Sequence, residues 1–84
     1  AGANAKVLVL RMRNMIYIDA GGIRALEQAK AACDKNGITI VISGIHTQPY
    51  ILFSKMGVIE KLGKENICAD IKEALGRTKM LLEK

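Results

Sequence analysis

Aromatic residues are scarce in this 84-residue chain, which has two tyrosines, one phenylalanine and no tryptophan. Single-stranded nucleic acid is bound by stacking bases on aromatics along a basic groove, and Tyr17, Tyr50 and Phe53 form no such platform. The net charge of +5 comes from singly placed lysines and arginines with no basic run, which is the pattern of a solvated surface. Nucleic acid is therefore not expected as a partner. Cysteine is equally sparse. Cys33 and Cys68 are too few for a disulfide framework, and neither has a second Cys or His at zinc-ligand spacing. No metal site is expected, and both thiols are expected to be inert packing groups. No apolar run approaches the roughly 18 residues that span a bilayer, and the N-terminus lacks the basic-then-apolar plan of a signal peptide. The piece itself is expected to be soluble.

Half of the residues are hydrophobic, enough for one small globular domain covering residues 1–84. Lys6 to Met12 is continuously apolar in its middle, as a central parallel strand covered on both faces would be. Asp19 precedes Ile23, Leu26, Ala29 and Cys33 at helical spacing, with Arg24, Glu27, Lys30 and Asp34 elsewhere on the wheel, so an amphipathic helix is predicted to end at Asn36-Gly37. Ile38 to Ile42 is a second buried strand, which completes a βαβ unit. Thr47 or Gln48 is expected to cap a short helix running through Met56, with Pro49 in its first turn. Gly57 stops it in a left-handed ending that lets Val58 fold back onto Phe53. Gly63 to Asn66 is a turn, Ile67-Cys68-Ala69 a short strand, and Asp70 with Glu73 a capping box for a last helix with the stripe Ile71, Ala74, Leu75, Thr78 and Leu82. The order is βαβαβα, an α/β class with a mostly parallel sheet. Three strands and three helices scarcely cover both faces of such a sheet, so an N-terminal portion is expected to be missing.

Two loops at the carboxyl edge of the sheet are the candidate functional positions. In the first, Asp19 can cap the helix while Gly21 and Gly22 leave first-turn amides open to a phosphate or carboxylate, with Arg11 and Arg13 leaving the strand nearby. An ordinary Asp cap, with glycines relieving crowding against the strand, accounts for the same residues. The turn carries neither a P-loop nor a dinucleotide fingerprint. The second loop, Ser43-Gly44-Ile45-His46-Thr47, could line a shared pocket. A Ser–His nucleophile would need a third group to orient the histidine, and none is suitably spaced. No two carboxylates are placed for acid–base work, and an enzyme is not expected.

Taken together, Val7 to Met12, Tyr17-Ile18-Asp19-Ala20-Gly21-Gly22-Ile23-Arg24-Ala25-Leu26 and Ile40-Val41-Ile42-Ser43-Gly44-Ile45-His46-Thr47-Gln48-Pro49 resemble a STAS domain. More narrowly, they resemble the C-terminal cytoplasmic domain of SulP-type sulfate permeases. Met56 to Ile67 and Asp70 to Leu75 continue the resemblance across nearly the whole chain. It implies the anti-sigma factor antagonist-like fold, with N-terminal strands that this chain lacks. In the related antagonists the strand-to-helix turn carries a phosphorylated hydroxyl just before its final glycine. That position is Gly21 here, beside Ala20, so no phosphoacceptor remains in the turn.

The resemblance further implies a non-catalytic regulatory domain at the cytoplasmic face of an inner-membrane anion transporter. It would work by docking to the membrane domain or to a cytoplasmic protein, without a cofactor. The alternative is a free-standing antagonist-like interaction module lacking the phosphorylatable hydroxyl. The candidate ligand- or partner-binding residues are Asp19, Ala20, Gly21, Gly22, Ile23, Ser43, Gly44 and His46, with weak nucleotide or anion binding as one role for the turn. An open sheet edge would invite a homodimer or domain swap.

Overall fold

A computed structural model describes residues 6–83. Three strands, β1 (Val7–Arg11), β2 (Thr39–Ser43) and β3 (Ile67–Cys68), form one sheet in the order β1-β2-β3, and both pairings are parallel. Between them run α1 (Ala20–Lys35), α2 (Thr47–Lys55), α3 (Val58–Leu62) and a single 3-10 turn over Lys64–Asn66, and α4 (Ile71–Leu82) follows β3. The α/β class and the parallel sheet agree with the sequence pattern.

The period of two along each strand divides the core in two. Leu10, Ile40, Ile42 and Ile67 face one side, where Ile23 of α1, Phe53 of α2 and Val58, Ile59 and Leu62 of α3 complete the larger cluster. Val7, Val9, Val41 and Cys68 face the other side and meet Ala74, Ile71 and Leu81 of α4 alone. The register aligns Arg11 with Ser43 and Ser43 with Cys68, so these three form one row on the α4 face at the carboxyl end of the sheet.

Several expectations need correction. The apolar run at Val7 is an edge strand among the described residues, not a central one, and Leu8 is 40 % exposed. β2 is the strand flanked on both sides, and Ile40 to Ser43 are all buried. On α1, Ile23 is buried and Leu26 and Cys33 half-buried, but Ala29 is exposed, and its neighbour Lys30 is half-buried instead. The helix does end as expected. Gly37 adopts φ 69°, with Gly37 N–H donating to Asp34 and Ile38 N–H to Cys33, the paired bonds of a Schellman ending.

Neither Thr47 nor Gln48 caps α2. His46 occupies the cap position without a side-chain cap bond, and Thr47 begins the helix. Gly57 (φ 74°) ends α2, and Val58 joins Phe53 in the same cluster. The chain then restarts at once as α3, a helix absent from the expected βαβαβα order. On α4, Asp70 caps by accepting from Glu73 N–H at 2.8 Å. Its inward stripe is Ile71, Ala74, Thr78 and Leu81, while Leu75 and Leu82 are each 56 % exposed.

Candidate functional site

The turn into α1 is built by the short-range chemistry of Asp19. Its backbone is extended, and Oδ1 accepts from Gly22 N–H at 2.9 Å, while its carbonyl accepts from Ile23 N–H. The first-turn amides expected to be open at Gly21 and Gly22 are therefore not both open. Asp19 consumes that of Gly22, and of the two only Gly21 N–H has no partner among the described residues. The two glycines also differ sterically. A Cβ on Gly22 would lie 2.6 Å from Ile18 Cγ1, whereas one on Gly21 would meet only Asp19 Oδ1, at 3.4 Å. Gly22 is required by contact with Ile18; Gly21 is not. Asp19, Ala20 and Gly21 are exposed, and the side chain of Ile23 is fully buried in the core, so it is not a surface contact.

The connector from β1 to that turn, Met12 to Ile18, is pinned along its length. Met12 N–H donates to Ser43 O and Met15 N–H to Met12 O. His46 Nε2 bonds the carbonyl of Arg13, and Gln48 brackets Ile18, accepting its N–H at 2.8 Å and donating to its carbonyl at 3.0 Å. Ile16 and Tyr17, between these anchors, are 70 % and 67 % exposed. His46 is thus an exposed residue that fixes a neighbouring loop, with its ring committed to a backbone carbonyl. Gln48 was not among the candidate residues. An amide side chain two positions into a helix carries no local signal that its partner is 30 residues away.

Ser43, Gly44 and the α1 turn do not share a pocket. Ser43 is 3 % exposed and, with Gly44, opens toward α4 in a cleft also lined by Arg11, Arg13, Asp70 and Ile71. Gly22 lies on the opposite side of the sheet, in an apolar groove with Leu10, Met12, Met15, Ile18 and Leu26. Gly44 has φ 71° and approaches Arg13 closely, a conformation that favours glycine. Cys68 lies at the floor of the α4 side. Burial first, then the charges of Glu73 and Asp70 against that of Arg77, push its thiol above the ordinary value, which leaves it a packing group. Among the described residues no cluster of three His, Cys, Asp or Glu is placed to hold a metal, and no helix is long and apolar enough to cross a membrane.

Residues 1–74 match the family model of the STAS domain. Among solved structures, the crystal structure of a sulfate transporter family protein from Wolinella succinogenes superposes with a TM-score of 0.90 at 38 % identity. The match covers 94 % of this chain and 65 % of that one, so this chain spans just under two thirds of its solved neighbour. No curated protein matches the chain significantly.

Proposed function

The chain belongs to the STAS domain family, and on that premise we propose that it is the regulatory and interaction domain of a SulP-type sulfate or related anion transporter. It acts at the cytoplasmic face of the membrane, by docking and without catalysis. The transporter part of this reading draws on the likeness to a solved protein described as of the sulfate transporter family. The docking part is carried by one observation. The connector before the α1 turn holds Ile16 and Tyr17 out to solvent while His46 and Gln48 fix the backbone on either side of them. Large apolar side chains presented on an ordered backbone lose little conformational entropy when a partner covers them. Aromatic anchors of this kind dominate the energetics of protein interfaces.

With Gly21 at the position where related domains are phosphorylated, docking by this chain is constitutive at the turn. The partner is the transporter's own membrane region. The parent reading frame should then encode about ten or more long apolar segments upstream of residue 1. The detergent-solubilised membrane region should be retained on the immobilised chain, and Tyr17→Asp should release it. A reading frame without such segments overturns the transporter reading, and retention unchanged by Tyr17→Asp overturns the docking surface.

A further inference from the structure

The α4 side of the sheet ends in a row that the docking reading does not use. By register, Arg11, Ser43 and Cys68 lie side by side on that face, under the first turn of α4. Ser43 is a polar residue only 3 % exposed, and its hydroxyl makes no hydrogen bond to another described residue. No buried side-chain oxygen or nitrogen is left without a partner among the described residues, so the Ser43 hydroxyl keeps access to the cleft of about 190 Å³ that it lines between the strand ends and α4. Arg11 and Arg13 line the same cleft, and neither makes an ion pair with a described carboxylate.

The first turn of α4 adds its amides. Asp70 takes the Glu73 N–H and its carbonyl takes that of Ala74, which leaves the Ile71 and Lys72 N–H groups outside the helix ladder. The positive end of the helix macrodipole lies there too. Asp70 is the one carboxylate lining the cleft, and its Oδ1 is committed to the cap. Glu73 and Arg77, whose charges reach Cys68, oppose each other. The remaining groups are donors: two guanidinium forks, the cleft-facing Ser43 hydroxyl and backbone N–H groups. Planar guanidinium forks match the paired oxygens of a sulfate or phosphate group, and a halide offers no such geometry.

We propose that this cleft binds a tetrahedral oxyanion, a sulfate or phosphate group, held by Arg11, Arg13, Ser43 Oγ and the first-turn amides of α4. The site does not depend on the docking reading, because it lies within the 84-residue chain, and of its residues only Arg11 also borders the groove that holds Gly22.

The test is a titration of the chain with sodium sulfate and with sodium phosphate, followed by amide shifts, with sodium chloride at matched ionic strength to remove general screening. Saturable shifts at Ser43, Gly44, Ile71 and Lys72 are expected in the millimolar range with an oxyanion and not with chloride. Arg11→Gln and Ser43→Ala should each weaken binding, Arg11→Gln by about tenfold or more, while a dispersed spectrum shows that the fold is kept. Arg11→Lys, which keeps the charge and loses the fork, should fall between. A response to phosphatidylglycerol vesicles without one to free ions would support the same chemistry and assign the group to a lipid headgroup. Equal shifts with chloride, no saturation with any of these probes, or unchanged binding by Arg11→Gln would overturn the proposal. None of those results bears on retention of the membrane region by Tyr17.

Discussion

The side-chain amide of Gln48 makes both backbone hydrogen bonds of Ile18, accepting at 2.8 Å and donating at 3.0 Å across 30 residues of sequence. It supplies to the loop before Asp19 what a neighbouring strand would supply to an edge. Gln48→Ala removes both and leaves two half-buried backbone groups to find water, at a cost of roughly 1–3 kcal/mol. Gln48→Glu keeps the acceptor and loses the donor, so it should fall between. Urea unfolding gives the stability change, and hydrogen exchange at the Ile18 amide should accelerate in Gln48→Ala, which loses its acceptor, more than in Gln48→Glu, which keeps it.

Gly21 and Gly22 are adjacent and should respond oppositely to the same methyl group. In Gly22→Ala the new Cβ collides with Ile18, whose buried side chain has little room to move, and a loss of about 1–3 kcal/mol is expected. In Gly21→Ala the Cβ makes an ordinary contact in a helical position, and a gain of up to about 1 kcal/mol is expected. Thermal unfolding of the two variants side by side tests the distinction. Gly21→Ser should likewise fold, placing a hydroxyl in the turn without disturbing it.

The thiol of Cys68 is raised above its ordinary value of 9.0, by burial first. Its folded form therefore keeps a proton that the unfolded chain gives up. The stability this represents is complete below the ordinary value and is lost as pH rises through the folded-state value. Equilibrium unfolding above the ordinary thiol range should show this decline, and Cys68→Ala should flatten it. At neutral pH, alkylation followed by mass spectrometry should label half-buried Cys33 before Cys68.

β1 has a strand partner on one side only among the described residues, and Leu8 is 40 % exposed on it. An open edge with an apolar side chain favours pairing with another copy. Sedimentation across a concentration series should reveal self-association that Leu8→Lys reduces. A strictly monomeric chain at every concentration would remove the edge as an interaction surface.

Local chemistry was the legible part of this fold. Asp19 and Asp70 as caps, Gly37 as a stop and the two apolar strand runs each act through neighbours within a few residues. What escaped depends on distant partners. A run such as Val7 to Leu10 has the same composition whether one or two strands flank it, so its edge position is settled only by the sheet. Val58 to Leu62 is too short to express a helical period. The faces of α1 and α4 were misjudged at Ala29, Leu75 and Leu82 because several rotations of each helix bury comparable apolar area. At the candidate site, the turn geometry was readable from Asp19 and the glycines. The roles of Gln48 and the Arg11–Ser43–Cys68 row arise only from contacts between segments far apart in the chain.

The two layers flanking the sheet are unequal. The larger cluster joins nine buried residues from several elements, whereas the α4 side closes over three, Val41, Cys68 and Ala74, with partly buried residues at its margin. Two polar links add to it: Arg77 Nε donates to Asn66 Oδ1, and Asn66 Nδ2 donates to the Leu62 carbonyl. Local opening is cheapest where the fewest apolar contacts are broken. α4 alone covers its side, so loss of that one helix would uncover Val41, Cys68 and the strand ends beneath it, whereas the other side shares its cover among α1, α2 and α3.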